Sequence, residues 1–340
     1  MKKIIKKVIL LIVIIGILAG YSTYHKIYKT TLVEEATFEV TEAGLSDLAN
    51  RLVESGVIES EELFLKFMAL KKYDKQVKVG MHRVEAPVTI ARLAEAIIQK
   101  VSKEERTITL LPGWNLWDIA RYFEAEGIAT EEEVFTLLGK PAEYGGGSEV
   151  FYDLSIIKNK PKNVSYEGYL AMNTFRVFAD ASLEEIVRKL LVYQEGLLSI
   201  EMLEEIKDSG RTIHEVMTVA SLVQREVQSK VDMAKVADIF WKRLDDGMGM
   251  QADSTVHYIF DDKGDVFTDA NQRAVDSLWN TYKYRDLPPS PISNPGIEAI
   301  KAAIYPDKND YYYFLTDMEG TVYYAKNYDA HLGNVNRYLR

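Results

Sequence analysis

The sequence of 340 residues contains no cysteine, which excludes disulfides, thiol nucleophiles and thiolate metal sites together. Core packing alone must hold such a chain together. Prolines and glycines are sparse, nine and twenty, and with 47% hydrophobic and 27% charged residues the composition is that of a globular protein with room for more than one domain. The five histidines, at positions 25, 82, 214, 257 and 331, form no HExxH pattern or other close ligand pair, so no metal site is expected. Gly145-Gly146-Gly147 lacks the lysine and Ser/Thr of a phosphate-cradling loop, and Ser221 lacks the glycines of a nucleophile elbow. The sequence calls for no cofactor. Positive charge is scarce too: beyond residue 29, 35 basic side chains face 51 acidic ones, a net of −16 that repels nucleic acid.

The first thirty residues break from this composition. Lys2, Lys3, Lys6 and Lys7 precede an apolar run from Val8 to Ala19, which reaches a membrane-spanning length with its flanks. No small-x-small cleavage site follows, and Tyr21 stands where a lipoprotein would need its cysteine, so a retained anchor is expected. Four lysines before the span against Lys26 and Lys29 after it place the N-terminus in the cytoplasm and the bulk outside. The expected division is a tail (1–7), a transmembrane helix (8–24), a linker (25–36), a small α/β module (37–104) and a mixed α+β domain (105–340).

An internal repeat links the last two. Ala49-Asn50-Arg51-Leu52 up to Gly56 and the acidic run to Phe64 return 71 positions later as Ala120-Arg121-Tyr122-Phe123 up to Gly127 and the run to Phe135. Each copy reads strand, helix, glycine-terminated turn, helix. Between them, Val88-Thr89-Ile90 leads into an amphipathic helix through Leu93, Ile97 and Ile98. The segment 139–163, with Pro141, the glycine triplet and Pro161, reads as loop. Strands over 311–316 and 321–325 flank Asp317-Met318-Glu319-Gly320 and predict a hairpin. A weaker hairpin is expected from Val256–Phe260, an acidic turn and Val266–Thr268.

Thr212-Ile213-His214-Glu215 fits a capping box, so a helix should run from Ile213 to about Gln228. At 100° per residue, Ile213, Val216, Met217, Val219, Ala220, Val223 and Val227 share one apolar face, and Glu215, Ser221 and Arg225 lie off it. Glu226 projects at the border. Partial burial there disfavours the anion and raises the carboxyl's pKa, which suits a general acid near neutral pH; an ordinary solvated or Arg225-paired glutamate fits the pattern as well. Ser229-Lys230-Val231-Asp232 caps a further helix through Val236, Phe240 and Leu244.

Several runs together resemble the MltG/YceG-like endolytic murein transglycosylases. They are Ala220-Ser221-Leu222-Val223-Gln224-Arg225-Glu226, Val236–Phe240 with Arg243-Leu244, Gly247-Met248, and Met250-Gln251-Ala252-Asp253-Ser254-Thr255-Val256. Asn280-Thr281-Tyr282, Leu287-Pro288-Pro289, Pro291-Ile292, Asn294-Pro295-Gly296, 299–303, Tyr313-Phe314 and, upstream, Glu167-Gly168-Tyr169-Leu170 continue the signature. The resemblance implies a LysM-like N-terminal module and a catalytic domain over 105–340. It also implies a lyase that cuts the MurNAc-GlcNAc β-1,4 bond of nascent strands, leaves 1,6-anhydroMurNAc ends and so terminates glycan polymerisation.

It further implies that Glu226 is the catalytic acid and base; beside it Gln251, Thr255, Asn280, Tyr282 and Glu167 are the expected substrate-cleft residues, with backbone satisfaction as the alternative for such residues in loops, and Asp253 either takes a second role at the substrate or caps the turn before Val256. Peptidoglycan strands, penicillin-binding proteins and the elongation or division machinery are the implied partners. Gln224 departs from the family, which has an acid there, and so do Met172-Asn173 for Pro-Asp, Ser254 for proline, and Asp286 and Ser290 for glycines. Two alternatives stay open on the residues: a wall-binding scaffold that has lost activity, and a muramidase-type hydrolase.

Overall fold

A computed structural model describes residues 2–41, 44–99, 105–261 and 268–339. The chain divides into two compact units, Met1–Glu104 and Glu105–Arg340.

The first unit opens with α1 (Lys2–Tyr28). Its Lys6–Tyr28 stretch is long and apolar enough to cross a membrane, and its most apolar 18-residue window, of mean hydropathy 2.0, is nowhere buried within the protein. The helix continues past residue 24, where a linker was expected, because its end is built into the module. Ile27 is buried in the module core, Tyr28 meets Phe67 edge-on at 5.9 Å, and Lys26 pairs with Glu59 at 3.7 Å. Only a short connector separates α1 from β1 (Glu35–Val40).

There follow α2 (Leu45–Glu54), α3 (Glu61–Lys71), β2 (Gly80–Glu85) and α4 (Ile90–Ile98). β1 and β2 pair antiparallel, Glu35 opposite Glu85 and Val40 opposite Gly80. Alternation turns Ala36, Phe38 and Val40 onto a core of Leu48, Leu52, Phe64, Met68, Leu93 and Ile97. Burying each large apolar side chain contributes about 1.5–3 kcal/mol.

The second unit repeats the opening pattern with β3 (Glu105–Thr109), α5 (Leu116–Ala125) and α6 (Glu131–Leu138). Gly56 and Gly127, equivalent in the repeat, both sit just past a helix end at positive φ, 71° and 64°, where a side chain would be strained. Two 3₁₀ turns, Glu149–Phe151 and Ser155–Ile157, interrupt the expected loop before β4 (Thr174–Phe178), which pairs antiparallel with β3.

Helices α7 (Leu183–Leu197), α8 (Ile200–Asp208), α9 (Ile213–Glu226) and α10 (Lys230–Asp245) follow. Next come α11 (Asp253–Phe260), the short α12 (Ala270–Arg273), α13 (Ile297–Ile304), β5 (Tyr313–Thr316), β6 (Val322–Ala325) and α14 (Tyr328–Tyr338). The C-terminal hairpin forms as expected, with Tyr313 opposite Ala325.

The weaker hairpin does not form. Val256–Phe260 belongs to α11, which buries Val256 and Tyr258 and packs on α9. An aromatic, β-branched run reads locally as strand, and tertiary burial overrides that preference. Thr268 lies outside any strand, and 262–267 fall outside the described residues.

α9 is the central helix. The Thr212–Glu215 capping box starts it, and Val227 ends it in an extended conformation two residues before Ser229 caps α10. Val216–Val223 are buried on every side because α10, α11 and α13 surround the helix. Ser221, expected off the apolar face, is therefore buried, donating to Thr218 O at 2.7 Å and accepting from Ile292 N at 3.0 Å. A helix held all round fixes the direction of its last residue, Glu226.

Candidate active site

Glu226 is the C-terminal residue of α9, half-buried between α11 and the C-terminal hairpin. Ser254 Oγ, in the first turn of α11, donates to Glu226 Oε1 at 2.6 Å, and Thr316 Oγ1 of β5 donates to the Glu226 carbonyl at 3.4 Å. Burial pushes the Glu226 carboxyl above the usual carboxylate range and neighbouring Asp253 adds to the rise, while Ser254 and Arg225 oppose it.

Asp253, the first residue of α11, is itself held in place. Tyr282 OH donates to its Oδ1 at 3.0 Å, and the Thr268 hydroxyl donates to the same oxygen. Arg273 lies over the Tyr282 ring at 5.6 Å. Gln251, two residues before Asp253, is exposed with φ 52°, a left-handed conformation unusual for a side chain of this size. Its N–H donates to Thr281 O at 3.3 Å.

Of the residues expected to face a glycan, the structure therefore gathers Asp253 and Tyr282 beside Glu226 and leaves Gln251 open to solvent. The other three lie elsewhere. Thr255 is fully buried, its hydroxyl donating to Ala252 O at 2.7 Å and facing Thr281 Oγ1 at 3.0 Å. Asn280 is fully buried, its amide donating to Arg273 O and Val275 O and its Oδ1 accepting from Tyr282 N. These two shape the loop that carries Tyr282 and have no polar atom free for a sugar.

Glu167 is also fully buried. Leu116 N–H, at the start of α5, donates to its Oε2 at 2.9 Å and Asn294 Nδ2 donates to its Oε1 at 2.8 Å, while the nearby Tyr258 OH and Gly168 N–H also favour its anion. Burial pushes this carboxyl up to about 8 despite those donors. Asn294 in turn accepts from Leu170 N and Gly113 N–H and donates to Trp114 O, so Glu167 sits at a knot that fixes two loops behind α9.

Gln224, the departure from the resemblance, uses its side-chain oxygen to accept from Gly296 N at 2.9 Å. Gly296 precedes α13 and has no side-chain cap there, so Gln224 ties α9 to that helix start. Two residues escaped the sequence reading. Arg243 of α10 is buried, donates to Tyr312 O at 2.7 Å and Met250 O at 2.6 Å, lies 5.0 Å from the Tyr313 ring centre and is electrostatically linked to Glu226. Ser254 is the other. The sequence marks Ser254 only as standing in place of the family's proline, and the tertiary fold alone aims it at Glu226.

With this geometry in hand, similarity to known proteins identifies the family. The model of the YceG-like family matches residues 39–337, and the chain belongs to that family. An endolytic murein transglycosylase of Bacillus subtilis (strain 168) is 29% identical over 306 residues, covering 87% of this chain and 82% of that protein. A protein of the same name from Streptococcus pneumoniae (strain R6) is 26% identical over 94% of this chain, which spans 62% of that longer relative. A 2.6 Å crystal structure of a YceG-like protein from Listeria monocytogenes superposes with a TM-score of 0.57 at 26% identity, covering 88% of this chain and 99% of that one.

Proposed function

We propose that this chain is a membrane-anchored endolytic peptidoglycan lytic transglycosylase in which Glu226 is the acid and base. The placement of Glu226 carries the proposal. Its carboxyl is partly withdrawn from water at the rigid end of a buried helix, beside a second carboxylate, within a chain of the YceG-like family.

Cleavage of the MurNAc-GlcNAc β-1,4 bond begins with a proton on the leaving glycosidic oxygen, as positive charge develops at the anomeric carbon. Glu226, whose anion burial disfavours, gives that proton. Asp253, oriented by Tyr282 and Thr268, supplies the negative charge that stabilises the cationic sugar. The Glu226 carboxylate then takes the proton of the sugar's own 6-hydroxyl as that oxygen closes on the anomeric carbon. The bond to the leaving sugar is broken, a 1,6-anhydroMurNAc end forms, and Glu226 is protonated again with no water consumed. Tyr282 and the exposed Gln251 supply contacts to the amino sugars.

The apolar α1 serves as a single-pass anchor with the N-terminus in the cytoplasm, which sets both globular units on the outer side, where nascent strands are made. Residues 37–104 of the first unit form the LysM-like module, and termination of strand growth beside penicillin-binding proteins and the elongation or division machinery is the cellular role. The test is incubation of the full-length enzyme in detergent with un-crosslinked glycan strands, followed by mass analysis. Wild type should release anhydro-ended fragments and Glu226→Gln should release at least 10³-fold fewer; comparable release by the variant rejects the assignment.

A further inference from the structure

Ser254 is buried in the first turn of α11, and its Oγ lies 2.6 Å from Glu226 Oε1. α11 has no side-chain cap of its own, because Ala252 stands at its N-cap. Its free N-terminal donors need a partner, and the Glu226 carboxylate stands beside them, where the Ser254 N–H adds a small influence in favour of its anion. Glu226 thus meets the start of α11 from outside the helix, held there by the Ser254 hydroxyl.

We propose that Ser254 is the positioning residue of the active site, fixing the rotamer of Glu226 and setting how readily its carboxyl gives and retakes a proton. This rests on the assignment of Glu226 as acid and base. Two influences meet at that carboxyl: burial and Asp253 favour the acid, while the Ser254 donors favour the anion. Both forms are needed in turn, the acid to break the bond and the anion to accept the 6-hydroxyl proton. The proline that the family resemblance leads one to expect at position 254 has neither a hydroxyl nor an N–H and can supply neither donor. This chain therefore holds its Glu226 in a way a proline-bearing relative cannot.

The pH profile of kcat/KM separates this role from a merely structural one. Ser254→Ala removes one donor and Ser254→Pro removes both, so the limb that falls as Glu226 loses its proton should move to higher pH. The shift should be about one to two pH units for alanine and larger for proline. KM should stay within about twofold, and Ser254→Thr, which restores a hydroxyl, should bring the limb back. Unshifted profiles in alanine and proline variants, or a uniform loss of rate at every pH, would overturn the proposal. If Ser254→Pro does not fold, the alanine and threonine pair carries the test. A Glu226→Gln control distinguishes the two layers. An active control rejects the acid/base assignment and this proposal with it, whereas an inactive control with wild-type profiles in the Ser254 variants rejects the Ser254 role alone.

Discussion

Glu167 makes folding stability depend on pH in a way a neutral substitute cannot. Its carboxyl is raised from 4.5 to about 8 in the folded chain, chiefly by burial. Between those two values the folded state keeps a proton that the unfolded state has released. The stabilisation is therefore fully present below about pH 4.5 and is lost as pH rises through about 8. The slope is at most ~1.4 kcal/mol per pH unit, and the whole effect is bounded near ~5 kcal/mol, less once the surroundings relax around the charge.

Glu167→Gln should abolish the slope. At low pH, where the wild-type carboxyl is protonated as well, it should cost about 1–3 kcal/mol, because the new amide N–H₂ meets a donor, Leu116 N–H or Asn294 Nδ2, where an oxygen accepted. All four tryptophans, Trp114, Trp117, Trp241 and Trp279, lie in the second unit, so their fluorescence follows that unit alone in urea melts of the full-length chain in detergent. The two stability curves should converge as pH rises from 5 to 8.5, the variant gaining on the wild type. Parallel curves would refute the reasoning, since the buried carboxyl would then titrate normally.

Further predictions follow from single contacts. Gly168→Ala should destabilise the second unit by about 3 kcal/mol or more in the same melts, because φ is 86° and a Cβ would meet Pro291 Cβ at 2.3 Å. Gln251→Gly should relieve a left-handed backbone by up to about 1 kcal/mol while raising KM for glycan strands; an unchanged KM would remove Gln251 from the cleft. Tyr282→Phe strips one of the two donors from Asp253 and should lower kcat about tenfold with little change in melting temperature, read from steady-state release of fragments.

Much of this fold was legible because its signals are local. The Thr212 capping box, the hairpin turn around Gly320 and the repeat ending at Gly56 and Gly127 depend on neighbours a few residues apart, and each appears where expected. Glu226 was legible as a border residue because α9 has a regular 3.6-residue period. Contacts across the chain were not. Ser221 is buried because α13 and the loop before it cover the face that periodicity assigns to solvent.

The burial of Glu167, Thr255 and Asn280 has the same origin. Polar residues in a family signature look like ligand contacts until tertiary structure shows their hydrogen bonds spent inside the protein. Val256–Phe260 failed in the opposite direction, since its residue types favour a strand and its packing on α9 demands a helix.

Where the second oxygen on the cleaved sugar comes from tests the mechanism most directly. Full-length enzyme in detergent is incubated with un-crosslinked glycan strands in ¹⁸O-labelled water, and the new MurNAc ends are weighed. Intramolecular attack by the 6-hydroxyl predicts ends lighter than the hydrolysed sugar by one water and free of ¹⁸O in wild type, and none above background with Glu226→Gln. Ends that carry ¹⁸O would contradict it, because water rather than the sugar's own hydroxyl would then have attacked and the enzyme would be a hydrolase.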